Sequence, residues 1–340
     1  MVAKSVPGWQ GSDGPVGLTD WKEELRQAFT RPADLLAWLG LPAALAGPEA
    51  MDGFRMLVPR GYAELMEPGQ PLDPLLIQVL PQAAEAKAHP AFVLDPVGDS
   101  AAALGPGLLQ KYQGRALLIT TPACAIHCRY CFRRHYPYAQ ASLGSDAWAA
   151  AVAAIAADPS IHEVILSGGD PLMLDDPALT ALVAGLEAIP HLERLRLHTR
   201  LPVVLPSRIT ADLCGILTQS RLQPVVVIHA NHPRELGPAA ALALWSLRAA
   251  GVTLLNQSVL LRGVNDDPDT LTALSTTLFR HGVLPYYLHL LDRVQGSAHF
   301  EVPLPAALTL MVLLRRCLPG YQVPRLVREE PGAASKVVLA

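Results

Sequence analysis

The 340-residue chain is 51% hydrophobic and 17% charged with a formal net charge of −3, a composition that describes a globular protein with a substantial core. It has no basic tail or stripe to attract nucleic acid, and no apolar run approaches the ~20 residues of a membrane span. Five cysteines, three of them clustered, argue against a disulfide framework and for a reducing compartment; the N-terminus lacks the apolar core of a signal peptide, so the cytoplasm is expected.

In chain order, residues 1–18 are rich in Gly, Pro and Ser and read as loose. Thr19 is a cap residue before an acidic first turn, so a helix starts there. Further helical patterns cover 32–39, 49–57, 60–66 and 71–80, with proline-bounded connections between them. Residues 1–105 therefore read as an N-terminal helical region without a chemical signature of its own.

From residue 115 the chain alternates apolar β-type runs with amphipathic helical windows, the pattern of parallel α/β architecture. Strands are expected at 115–120, 163–167, 194–199, 223–229, 252–258 and 284–290, and helices at 145–157, 177–188, 210–219, 238–250, 268–281 and 305–317. Six such units suit a partial (β/α)6 TIM-like barrel over 106–318, followed by a short C-terminal extension, 319–340. A doubly wound open sheet is the alternative, but it would not explain polar residues at the end of every strand. Barrel enzymes carry their chemistry at the C-terminal strand ends.

The first strand leads into Cys124, Cys128 and Cys131, spaced C-x3-C-x2-C and interleaved with Arg129, Arg133 and Arg134. Three thiolates on one loop can bind an iron–sulfur cluster and leave one iron open to a small molecule. Two other readings stand beside it: small buried hydrophobes, or a structural zinc with His127 or His135 as fourth ligand. Zinc sites usually add a second cysteine knuckle, and Cys214 and Cys317 are isolated inside helical patterns.

Later strand ends add candidates. In Ser167-Gly-Gly-Asp170, Gly168 and Gly169 can let a ligand lie against the backbone while Asp170 accepts from an ammonium group; a plain strand–helix turn would use the same residues. His198 to Arg200 and His229 to His232 are ligand contacts or loop hydrogen bonding, and no second metal is expected at the latter. Asn256, Gln257 and Ser258 interrupt an apolar strand and can bind a phosphate, as can Arg115 at the start of the first strand. Arg133 is a carboxylate fork or a structural ion pair. Asp292 and Glu329 together can neutralise an ε-ammonium group. Of five lysines, Lys4, Lys22 and Lys87 read as solvated, Lys111 as a phosphate contact, and Lys336 either as a solvated tail residue, which composition alone favours, or as one beyond a small-residue loop that can fold back over the barrel.

The cysteine loop resembles the cluster motif of radical S-adenosylmethionine (SAM) enzymes. The longer string Cys124-Ala-Ile-His-Cys-Arg-Tyr-Cys-Phe-Arg-Arg-His-Tyr-Pro-Tyr138 resembles lysine 2,3-aminomutases, and within them the subgroup that makes (R)-β-lysine for elongation factor P. Asp73-Pro-Leu-Leu, Asp95-Pro-Val-Gly and the His299-Phe300 pair extend the likeness over nearly all of the chain. The resemblance implies a 4Fe–4S cluster on Cys124, Cys128 and Cys131, with SAM on the open iron and contacts from Gly168, Gly169, Asp170, His198 and His229. It implies pyridoxal 5′-phosphate (PLP) on Lys336 with Arg115 and Asn256 to Ser258 at its phosphate. L-lysine is then held by Arg133, Asp292 and Glu329. Both acidic positions are typically aspartates in lysine-using relatives, so Glu329 keeps the charge on a longer arm. The implied reaction moves the α-amino group to the β-carbon after a 5′-deoxyadenosyl radical removes a β-hydrogen, with a reducing electron donor and a functional link to elongation factor P and its lysyl ligase. A general aminomutase of amino-acid metabolism, a radical SAM enzyme without PLP, and a zinc-stabilised binding protein are the competing functions.

Overall fold

The computed structural model describes residues 20–47, 53–140 and 144–340. Three short helices open the chain: α1 (Trp21–Arg26), capped by the Asp20 carboxylate, α2 (Pro32–Trp38) and α3 (Arg60–Ala63). The β1 (Ala103–Gly105) and β2 (Leu108–Leu109) hairpin then lies antiparallel against the first long strand, β3 (Arg115–Thr121).

Parallel strand–helix units follow: α4 (Ser145–Ala157), β4 (Glu163–Gly168), α5 (Asp176–Glu187), β5 (Arg194–Thr199), a short α6 (Leu201–Val204), α7 (Ala211–Thr218), β6 (Gln223–Ile228), α8 (Pro238–Ala249), β7 (Thr253–Val259), α9 (Pro268–Arg280), β8 (Leu284–His289) and α10 (Leu304–Cys317). Asp175, Thr210 and Asp267 cap α5, α7 and α9 through their side chains, which starts each helix promptly after its strand loop. Residues 319–340 complete the sheet: β9 (Arg325–Arg328) runs parallel to β8, and β10 (Val337–Val338) turns back antiparallel on β9. The ten strands lie in sequence order in one open sheet, the partial barrel that the strand count predicts.

The long strands alternate between faces. On β5, Leu195, Leu197 and Thr199 are buried while Arg194, Arg196 and His198 are only half-buried. In-register parallel pairing carries that second face across the sheet, from His198 to Val227 and Leu255. Leu35, Leu36, Met56 and Leu75 from the N-terminal hundred residues belong to the same apolar core as Leu118, Leu166, Leu197 and Val226 of the strands.

The N-terminal expectations need two corrections. In the 49–57 pattern, residues 49–52 lie outside the described residues, and residues 53–57 are not helical. Their carbonyls are used elsewhere: Phe54 accepts from Arg129, Arg55 from the His127 ring and Leu57 from the His127 amide. The 71–80 segment is a run of turns instead of a helix. Asp73 takes the Leu75 and Leu76 amides on its own carboxylate, which substitutes a side-chain cap for helical bonding. The loose reading of residues 1–18 falls outside the described residues.

Candidate active site

The cysteine loop leaves the C-terminal end of β3 with all three thiols half-buried. A tight turn joins two of them, the Cys131 amide donating to the Cys128 carbonyl at 3.0 Å. Burial, with Cys131, Asp170 and Cys128 close by, pushes the Cys124 thiol well above its ordinary range; burial and Cys128 push Cys131 up to about 11. The three thiols are thus close enough to influence one another electrostatically. Among the described residues no three His, Cys, Asp or Glu side chains share a single-ion geometry, and cluster ligands occupy separate irons. The two histidines considered for zinc have other partners. His127 Nδ1 bonds the Arg55 carbonyl at 2.8 Å, and His135 Nε2 bonds the Gln295 carbonyl at 3.1 Å.

Glu85 holds the loop from behind. Its carboxylate accepts three hydrogen bonds from Arg129, at 2.6 to 3.1 Å, and one from Arg134 at 2.9 Å. Both guanidinium groups also lie over the Phe54 ring. The arginines interleaved with the cysteines are therefore a buried frame, with the Arg129 and Glu85 side chains 0% and 1% exposed.

The glycine pair has a packing reason that its sequence does not display. A Cβ on Gly169 would come within 2.2 Å of the Ala123 carbonyl oxygen, and one on Gly168 within 2.7 Å of the Thr121 oxygen. The Gly169 and Asp170 amides donate to those same carbonyls. The end of β4 is thus seated on the cysteine loop itself. The Asp170 carboxylate already accepts from the Leu172 and Arg200 amides and the Thr199 hydroxyl; burial opposes these bonds and raises its pKa to about 6.

Two of the β7 residues expected at the phosphate already have partners within the protein. Asn256 exchanges hydrogen bonds with the Ala230 backbone and donates to Ser258 Oγ, and Ser258 donates to the Ala230 carbonyl. Both are buried and serve to fasten β7 to the end of β6. Gln257, on the opposite face, remains half-buried beside Tyr287 of β8. The Arg115 guanidinium stacks over Tyr112 at 4.9 Å, and its buried Nε has no hydrogen-bond partner.

The proposed substrate residues and the proposed cofactor lysine form one chain of charges. Arg133 donates from Nε to Asp99 at 2.8 Å and from Nη1 to Ser167 at 3.0 Å. Asp99 pairs with Lys111 at 2.6 Å, Lys111 lies 3.8 Å from Glu329, and Glu329 pairs with Lys336 at 2.5 Å while accepting from the Tyr112 hydroxyl at 2.6 Å. Burial works against Glu329, yet Lys336, Tyr112 and Lys111 hold its carboxyl below the ordinary range. Asp292 is the reverse. Burial raises it to about 7, with Glu329 adding and Lys336 opposing. Lys111, expected as a phosphate contact, is instead committed to Asp99 and the Val97 carbonyl.

Neutral histidines line the same space. Burial, then neighbouring Arg196, Lys336 and Arg133, holds His198 well below the ordinary imidazole range; burial and Lys336 do the same to His289. Both have a buried Nε2 without a partner. His229 is driven down to about 3 by burial and Arg200, with Nε2 2.9 Å from the Tyr130 hydroxyl. Sequence reading missed Asp99, Tyr112 and His289. The alternation of β8 from Tyr287 to His289 was the available signal for the last, whereas Asp99 has no local motif.

These features fit the expected groups: three neighbouring thiols on one loop for a cluster, an orphaned Arg115 Nε for a phosphate, and a half-buried lysine beside acids for a carbonyl cofactor. Comparison with known proteins agrees. The model of the Radical SAM superfamily matches residues 118–219. An L-lysine 2,3-aminomutase of Escherichia coli K12 is 48% identical over 94% of this chain and 94% of its own. One of Haemophilus influenzae is 45% identical over 94% and 96%, and one of Clostridium subterminale 34% identical over 93% and 77%. The chain therefore belongs to the L-lysine 2,3-aminomutase family of radical SAM enzymes, isomerases that use a 4Fe–4S cluster, SAM and PLP.

Proposed function

We propose that the protein converts L-lysine to (R)-β-lysine by moving the α-amino group to the β-carbon. The observation that carries this reading is the acid pair at the cofactor lysine, in which Glu329 pairs with Lys336 and Asp292 is tuned by both. An acidic pair repels a substrate with an anionic side chain and suits an ε-ammonium. At the other end of the charge chain, Arg133 has Nε and Nη1 fixed by Asp99 and Ser167, which leaves Nη2 for a substrate carboxylate.

In this reading Cys124, Cys128 and Cys131 hold the cluster, Lys336 anchors PLP, and Arg115 and Gln257 face it. Gly168, Gly169, Asp170, His198 and His229 form the side at which SAM docks. When bound, the cluster with SAM supplies the hydrogen-abstracting radical and PLP supplies the electron sink. The chain's own residues align the amino acid and keep water away. The neutral His198, His229 and His289 can donate hydrogen bonds without adding charge, so the only strong charges on the substrate are those that orient it.

The string from Cys131 to Tyr138 and the His299-Phe300 pair support a further assignment, supply of β-lysine for elongation factor P through its lysyl ligase in the cytoplasm. Free lysine is the substrate in this scheme, and an external reductant feeds the cluster. Among the described residues no helix is long and apolar enough to cross a membrane.

Anaerobic turnover of L-lysine by reconstituted protein with SAM, PLP and dithionite, resolved by chiral chromatography, tests the reaction. (R)-β-lysine is expected. An enzyme with intact cluster and bound PLP that forms no β-lysine would overturn the lysine assignment.

A further inference from the structure

Arg200 stands just beyond β5, and its side chain is turned back toward the cysteine loop. Nη1 lies 2.7 Å from Cys128 Sγ. Nη2 donates to Gln78 at 3.0 Å, to Glu235 at 3.2 Å and to the Tyr62 hydroxyl at 3.3 Å. The guanidinium sits over the Tyr62 and Tyr130 rings at 5.6 and 5.9 Å, and its backbone amide is held by Asp170 at 2.7 Å. The residue is 6% exposed. A side chain bonded on this many sides cannot swing away from the sulfur. Its Nε is also buried and has no partner in the protein, which leaves a second donor in the same region.

A strong donor on a ligating sulfur withdraws electron density from the cluster. Hydrogen bonds to the sulfurs and nearby charge are among the factors that set a cluster's reduction potential. Added negative charge on the reduced cluster is stabilised by a cation at its ligand, so Arg200 favours reduction. Glu235, fully buried behind it and also held by Gln78 at 2.8 Å, opposes that effect.

We propose that Arg200 is a positioning residue of the cluster: it fixes the Cys128 sulfur and, balanced by Glu235, sets the potential at which the cluster accepts its electron. The step concerned is a one-electron transfer, in which an external reductant loses one electron and the cluster gains it, with no bond made or broken. The inference rests on the assignment of Cys128 as a cluster ligand.

The test is a potentiometric titration of the reconstituted full-length protein, followed by electron paramagnetic resonance of the reduced cluster, with iron and sulfide content measured in parallel. Arg200→Met is expected to shift the midpoint to more negative values at wild-type iron content, and Glu235→Gln to shift it to more positive values. Shifts of the same sign in the two variants, or an unchanged midpoint in a fully loaded Arg200→Met protein, overturn the proposal. Where Arg200→Met does not take up iron, Arg200→Gln carries the measurement: it keeps a hydrogen-bonding side chain but loses the charge, and a midpoint equal to that of the wild type overturns the proposal. Cys128→Ala separates the underlying assignment. Wild-type cluster content in that variant would remove Cys128 as a ligand, whatever Arg200 does.

Discussion

Lys336 Nζ and Glu329 Oε2 are 2.5 Å apart, although the two residues sit on opposite arms of the turn that joins β9 to β10. The glutamate side chain is 9% exposed, so the pair is screened little by solvent. In the proposed function PLP consumes the charge on Lys336, and Glu329 then faces the space without its main partner. Glu329→Gln should leave PLP attachment to Lys336 intact, as read by absorbance. It should raise the KM for lysine by roughly ten- to a hundredfold, the equivalent of about 1.5–3 kcal/mol for a hydrogen bond to a charged group. An unchanged KM would remove Glu329 from ammonium recognition.

Asp292 gives a pH dependence with a definite sign. Its carboxyl is raised by burial from 3.8 to about 7, so below that value it is largely protonated in the folded protein. The folded state then holds a proton that the unfolded state has released, and the Asp292 contribution to stability declines as pH rises between these two values. Binding of an ammonium group runs the other way, because it needs the ionised form. Lysine affinity should rise about tenfold from pH 6 to pH 8, following the ionised fraction of a group near 7. The rise should vanish in Asp292→Asn. Calorimetric titration in buffers of different ionisation enthalpy reads the proton released on binding.

Removing Glu85 should be costly. Arg129 and Arg134 would keep their buried charges without their common acceptor, at about 3–5 kcal/mol for a broken buried pair. Glu85→Ala is expected to lower the melting temperature by several degrees and to reduce iron uptake. A variant of wild-type stability that also loads a full cluster would show that the frame is dispensable.

Asn256→Ala separates a fastening role of β7 from a phosphate-binding one. Loss of its bonds to Ala230 and Ser258 should destabilise the protein by about 1–3 kcal/mol in thermal unfolding. PLP affinity, measured by absorbance titration, should stay near that of the wild type. A large loss of PLP affinity at unchanged stability would restore the phosphate role.

Strand order and the cysteine loop were legible because both are written locally, in apolar runs of strand length and in a fixed spacing of thiols. Residues 53–57 were misread for the opposite reason. Their helical pattern competes with three carbonyl bonds to Arg129 and His127, far along the chain, and the tertiary bonds prevail. Asn256 and Ser258 were correctly singled out as polar residues that need partners, but periodicity does not say which face of the strand supplies them. Asp99 was invisible: a carboxylate in a loop becomes meaningful only once Arg133 and Lys111 are brought to it.

The use of the Phe54, Arg55 and Leu57 carbonyls and the Gln78 backbone as fastenings for the cysteine loop has a consequence for how the chain can be divided. A fragment beginning at residue 106 would retain all three cysteines, every long strand and the whole stretch matched by the superfamily model. It would lack Glu85, Gln78 and the carbonyls that hold the loop in shape. The loop is like an arch whose stones lie in one half of the molecule and whose scaffold lies in the other. The shape of the cysteine loop is therefore a property of the joined chain, held by the N-terminal segments as well as by the barrel.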